Sequence, residues 1–74
     1  MLNLEKILKT NKIKLNTFAI EIYNDLKNPN KKLSQQFKFH IDFTIEELEK
    51  IQSVLKEKYK LNYTIEDLVT IVED

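Results

Sequence analysis

The chain has no cysteine and no glycine, and only one proline and one histidine among its 74 residues. Without cysteine there is no disulfide, no thiolate metal ligand and no cysteine nucleophile, and composition carries no mark of redox compartment. Without glycine there is no Gly-rich phosphate loop, no dinucleotide fingerprint and no Asn-Gly hairpin turn. No apolar run approaches the roughly 18 residues of a membrane span, and the first residues lack a signal-peptide core. The expectation is a soluble, cytoplasmic protein with no membrane partner. His40 has no second histidine or thiol close to it in sequence, so neither a metal site nor a cofactor is expected. A structural histidine is the plainer reading. Ser-His-Asp sets and metalloprotease motifs are also missing, which points away from an enzyme.

What is present suits one small helical domain. Apolar residues make up 42% of the chain, enough for a packed interior near the lower size limit of a lone domain, so self-association is no surprise. Net charge is zero but unevenly spread. Residues 1–38 carry eight lysines against three acids, a balance of +5, whereas residues 39–74 carry four against nine, a balance of −5. Such a chain turns a basic face to a polyanion while its acidic half points away.

Ile45, Leu48, Ile51, Leu55 and Tyr59 recur at three- and four-residue steps and predict a helix from about Ile45 to Tyr59. Thr44 followed by Glu47 predicts a capping box at its start, with Glu46 and Glu47 in the first turn and Lys56, Lys58 and Lys60 near the end. Capping and the helix dipole thus account for these glutamates better than an acid/base pair does. The start signal repeats at Thr64 and Asp67, where Ile65, Leu68, Val69 and Val72 predict a last helix to the chain end. Asn62 is the candidate for the left-handed residue that ends the preceding helix. Leu4, Ile7 and Leu8 predict a helix from about Leu2 to Lys9, stopped near Asn11. Phe18, Ala19, Ile22, Tyr23 and Leu26 predict another from about Asn16 to Lys27, closed by Pro29, which disfavours helical geometry at Asn28. Tyr23, Tyr59 and Tyr63 sit at or beside apolar positions and read as packing residues.

The segment from Asn30 to Phe43 fits two patterns. Phe37, Phe39, Ile41 and Phe43 alternate with Lys38, His40 and Asp42 as in a strand. Alternatively, Leu33 and Phe37 form a buried i, i+4 pair on a helix from about Asn30 to Phe39, with Lys31, Gln35 and Lys38 on the wet side.

In order, these pieces resemble the lambda repressor/Cro-like (XRE-type) helix-turn-helix family over nearly the whole chain. The opening MLNLEKILKTNKI, Ala19 in TFAIEI, and FTIEELEKIQSVL (Phe43 to Leu55) are similar to phrases of its phage and plasmid members. Leu33 and Phe37 match the two buried aliphatic positions of the recognition helix, and Leu33 precedes Phe43 by the expected interval. The connection around NDLKNPN is about four residues longer than the family's usual turn, and no glycine follows the recognition segment. The resemblance implies five short helices, all-α, with residues 1–74 as a single DNA-binding domain. It further implies a cytoplasmic transcription regulator, such as a phage repressor, acting on double-stranded DNA as a homodimer.

Physical chemistry supports the same segment independently. A helix in the major groove needs an apolar back and a front of amides and cations. NKKLSQQFKF places Leu33 and Phe37 behind and Lys31, Lys32, Ser34, Gln35 and Lys38 in front, with Gln36 nearer the flank. Glutamine pairs bidentately with an adenine edge, worth roughly 1–3 kcal/mol of discrimination, while lysines hold phosphates. Lys14, Asn16 and Thr17, opening the second helix, offer further phosphate donors. The last two helices, apolar and flanked by acids, are the expected homodimer contact.

Two other readings compete. A ribbon-helix-helix dimer would use FKFHIDF as its strand, with Lys38, His40 and Asp42 facing the groove. A small protein-binding module, such as an antitoxin, anti-repressor or phage-encoded inhibitor, would suit the zero net charge and the acidic second half.

Overall fold

The computed structural model describes residues 1–73 and consists of five α-helices: α1 (Asn3–Thr10), α2 (Leu15–Ile22), α3 (Pro29–Lys38), α4 (Ile45–Tyr59) and α5 (Ile65–Val69). Each helix sends a fully buried side chain to one core: Leu4, Phe18, Leu33, Ile51 with Leu55, and Leu68. No helix among the described residues is long and apolar enough to cross a membrane.

Helices α4 and α5 start as the sequence predicts. The Thr44 hydroxyl accepts from the Glu47 amide at 3.1 Å, and the Glu47 carboxylate accepts from the Thr44 amide at 2.8 Å. Thr64 and Asp67 repeat the arrangement at 3.1 and 3.0 Å. These four bonds satisfy donors that a helix start otherwise leaves open. Ile45 departs from the expected core face: at the first position of α4 it is 64% exposed, and Val54 joins Leu48, Ile51 and Leu55 inside instead.

Three helices end through a residue in the left-handed region, and none is glycine: Lys12 (φ 57°), His40 (φ 54°) and Lys60 (φ 58°). An apolar residue comes directly after each one. Ile13 donates its amide to the Leu8 carbonyl at 2.9 Å, Ile41 to Gln36 at 3.0 Å, and Leu61 to Leu55 at 2.9 Å. The Ile13 and Ile41 bonds are the six-to-one closures of a Schellman ending. Lys60, not Asn62, therefore turns the chain after α4, because reversal directly behind Tyr59 lets Leu61 pack against the core.

Two helices are shorter than their apolar stripes predict. Helix α2 stops at Ile22 rather than Lys27, since Tyr23 leaves helical geometry (φ −115°, ψ 48°) with its ring buried. Leu26 is consequently not a core anchor and lies exposed in the turn beyond α2. Helix α5 stops at Val69, and Thr70 is extended. Val69, Thr70, Ile71 and Val72 are all β-branched, a composition that favours extended backbone. The extended run pairs with the chain start: Asn3 donates to the Thr70 carbonyl at 2.7 Å and Val72 to the Met1 carbonyl at 2.8 Å, flanking an antiparallel Leu2–Ile71 bridge. The predicted continuation of the last helix to Asp74 fails up to Glu73, and Asp74 lies outside the described residues.

The ambiguous segment is helical through Lys38, with Pro29 at the first helical position, where its missing N–H costs nothing. Phe37 is half-buried and meets Phe43 edge-on at 6.1 Å. No strand forms from Phe37 to Phe43, which overturns the ribbon-helix-helix alternative.

Candidate nucleic-acid interface

Helix α3 is held from behind by apolar and polar contacts together. Leu33 is fully buried, and Gln36 is 4% exposed. The Tyr23 hydroxyl donates to Gln36 Oε1 at 2.7 Å, and Gln36 Nε2 points to Glu47 Oε1 at 3.4 Å. Lys32 reaches Glu47 Oε2 at 3.0 Å and lies over the Tyr23 ring, 4.6 Å from its centre. One glutamate thus caps α4, receives a lysine and faces the buried amide, tying α3 to α2 and α4. Burial draws the Glu47 carboxyl upward, but the Thr44 amide and Lys32 outweigh it and hold it below the ordinary carboxylate range. Burial, reinforced by Glu47, raises the Tyr23 hydroxyl well above its usual value, so it stays a donor.

This network corrects one of the expected DNA contacts. Gln36 is a buried partner of Tyr23, not a flanking reader of bases, because the stripe that docks α3 runs through Leu33, Gln36 and Phe37. Lys32 pairs with Glu47 and lies over Tyr23 while staying exposed. Lys31, Gln35 and Lys38 are exposed on the side opposite Leu33, and Ser34 is half-buried at the flank.

Lys14, Asn16 and Thr17 are exposed at the start of α2, where Lys14 takes the cap position without a side-chain cap. Asn16 Oδ1 accepts from the Thr17 amide at 2.9 Å. A groove of about 500 Å³ joins this region to α3, with Leu8, Ile13, Leu15 and Phe37 in its lining and Glu5, Lys9, Ser34 and Lys38 beside them. The structure therefore brings the α2 start and the second half of α3 to one surface. Lys9 belongs to that surface and was missed by sequence reasoning. Its i, i+4 pairing with Glu5, at 3.4 Å, is legible in sequence, but its nearness to Lys38 is not.

On the far side of α2, the Tyr59 hydroxyl donates to Glu21 Oε1 at 2.6 Å, and Lys58 Nζ lies 2.8 Å from Glu21 Oε2. Burial raises the Glu21 carboxyl, but bonds from Lys58 and Tyr59 carry it below its ordinary value. Tyr59 is pushed up to about 12 by burial and by Glu21. This cluster clamps α2 to α4. His40 is exposed and serves as the turn residue behind α3, and no group of three or more potential metal ligands occurs among the described residues.

Comparison of the chain with family models, with curated proteins and with solved structures gives no match.

Proposed function

We propose that the chain is a sequence-specific DNA-binding regulator of the lambda repressor/Cro-like helix-turn-helix kind, with α3 as its recognition helix. The observation that carries this reading is the division of α3 into a locked back and an unencumbered front. Leu33, Gln36 and Phe37 fix the helix to the domain, while Lys31, Gln35 and Lys38 project the other way with Ser34 at the flank. Gln35 supplies the amide for a base edge, and Lys31 and Lys38 supply charge for phosphates on either side. Lys9 lies in the groove beside α3, and Lys14, Asn16 and Thr17, exposed next to its lining residues Ile13 and Leu15, supply further donors for phosphates. Two copies on an inverted repeat place their α3 helices about 34 Å apart.

The test is an anisotropy titration of the protein on a library of duplexes, repeated at several salt concentrations. Log affinity should fall with log salt at about −0.9 per phosphate neutralised. Gln35→Ala should flatten sequence preference, whereas Lys38→Ala should weaken all sequences alike and shallow the slope by about one phosphate. Absence of binding to every duplex at low salt overturns the reading.

A further inference from the structure

A second surface lies behind the C-terminal end of α3, apart from the basic front. Leu2, Phe37, Ile41, Phe43, Val69 and Ile71 line an apolar cavity of about 310 Å³. Ile41 and Ile71 are exposed, Ile71 at 71%, and Val69 also reaches solvent. Isolated exposed aliphatics are ordinary, but several gathered around one hollow mark a contact surface. Exposed acids flank it along the chain: Asp42 beside Ile41, and Glu66 and Glu73 near Val69 and Ile71. Asp42 and His40 line the cavity itself. Glu73 lies two residues beyond Ile71 along extended chain, Glu66 precedes Val69 by one helical turn, and both are exposed. The amino group of Met1 is nearby but donates to the Val72 carbonyl at 2.7 Å.

We infer that this hollow is a docking site for a protein segment that inserts a large apolar side chain between Ile41 and Ile71 and flanks it with lysine or arginine. Charge complementarity selects the occupant: cations on the segment meet Asp42, Glu66 and Glu73, while the apolar anchor fills the cavity. A second copy docked here about a two-fold axis brings the same acids against their symmetry mates, which disfavours the homodimer contact expected at this end of the chain. The proposal does not depend on DNA recognition and concerns the opposite charge.

The test uses the whole chain without DNA. A displayed library of random peptides, about twelve residues long, is selected on the unaltered protein, on Ile71→Asp and on the double variant Asp42→Lys/Glu73→Lys. Peptides enriched on the unaltered protein should carry a Leu, Phe or Trp bracketed by Lys or Arg, and should weaken as salt rises. Ile71→Asp should cost them about tenfold or more in affinity, and the double variant should switch enrichment to acidic flanks. All three substituted side chains lie at the surface, and circular dichroism confirms that each variant folds. If Ile71→Asp does not fold, the charge reversal decides alone. No enrichment, or enrichment without a basic bias that the double variant inverts, overturns the proposal. So does sedimentation equilibrium showing a dimer that Ile71→Asp dissociates, which gives the face to a second copy. Loss of duplex binding in the separate titration leaves this result untouched.

Discussion

Two stretches of this chain open with almost the same residues. Thr44-Ile-Glu-Glu-Leu starts α4 and Thr64-Ile-Glu-Asp-Leu starts α5, with matching capping boxes. Yet α4 runs fifteen residues and α5 only five. The difference lies downstream of the shared opening. After Leu48 come residues of good helix propensity with Ile51 and Leu55 returning to the core, whereas after Leu68 come four β-branched residues in a row. Three of these, Thr70 to Val72, lie extended beyond the end of α5 and reach the chain start in the bridge to Leu2. A cap determines where a helix begins and says little about how far it continues.

The largest expected effect comes from deleting the core anchor of each twin. Ile51→Ala and Leu68→Ala should each cost about 2–5 kcal/mol in urea unfolding, since both side chains are fully buried. Amide exchange should separate them. Leu68→Ala should first speed exchange at Asn3 and Val72, whose bonds depend on α5, whereas Ile51→Ala should speed it throughout. A uniform response to both would show that the chain ends share the stability of α4.

Removing the caps sharpens the comparison at a smaller scale. Thr64→Ala should cost about 1 kcal/mol, and Thr44→Ala closer to 2 kcal/mol. The excess arises because Glu47, freed from Thr44, also loosens its hold on Lys32 and Gln36. Equal costs in thermal unfolding would argue that the α3 network does not depend on the cap.

The pH profile probes the same network. Glu47 and Glu21 have folded pKa values below their unfolded value, so their contribution is complete above it and is lost as pH falls through the folded values. Tyr59 shifts the opposite way, from 10.0 to about 12, so the folded state loses stability as pH rises from 10 toward 12. Stability should be flat near neutrality and fall on both sides, with Glu47→Gln shallowing the acid limb. An unchanged acid limb in that variant would remove Glu47 from the account. The smallest effect is a gain: Lys60→Gly should stabilise by about 0.5–1 kcal/mol, because a left-handed residue with a side chain is strained where glycine is not.

Much of the fold was legible because it is local. Both capping boxes, the full extent of α4 and the stop near Asn11 arise from interactions within one or two turns, whereas Pro29, expected to close α2, instead heads α3. The left-handed endings were less visible, since no glycine marks them, although the apolar residues directly after Lys12, His40 and Lys60 are a usable sign. The early stop of α5 was also written in its β-branched run and was outweighed by the apolar stripe.

The candidate interface divides in the same way. Sequence left the α3 segment open between strand and helix, but the helical reading already put lysines and amides on one side and Leu33 and Phe37 on the other, because helical periodicity is an intrachain property. It set Gln35 in front and Gln36 nearer the flank, but could not determine that Gln36 turns fully inward. That choice depends on the rotation of α3 about its own axis, which Tyr23 and Glu47 set, the latter eleven residues away from Gln36. The same long-range partners engage Lys32, and tertiary packing likewise ends α2 at Ile22 and gathers Ile41 with Val69 and Ile71 around one hollow. Backbone preferences act between near neighbours and can be read along the chain, whereas rotational phase and surface assembly are decided only when distant side chains meet.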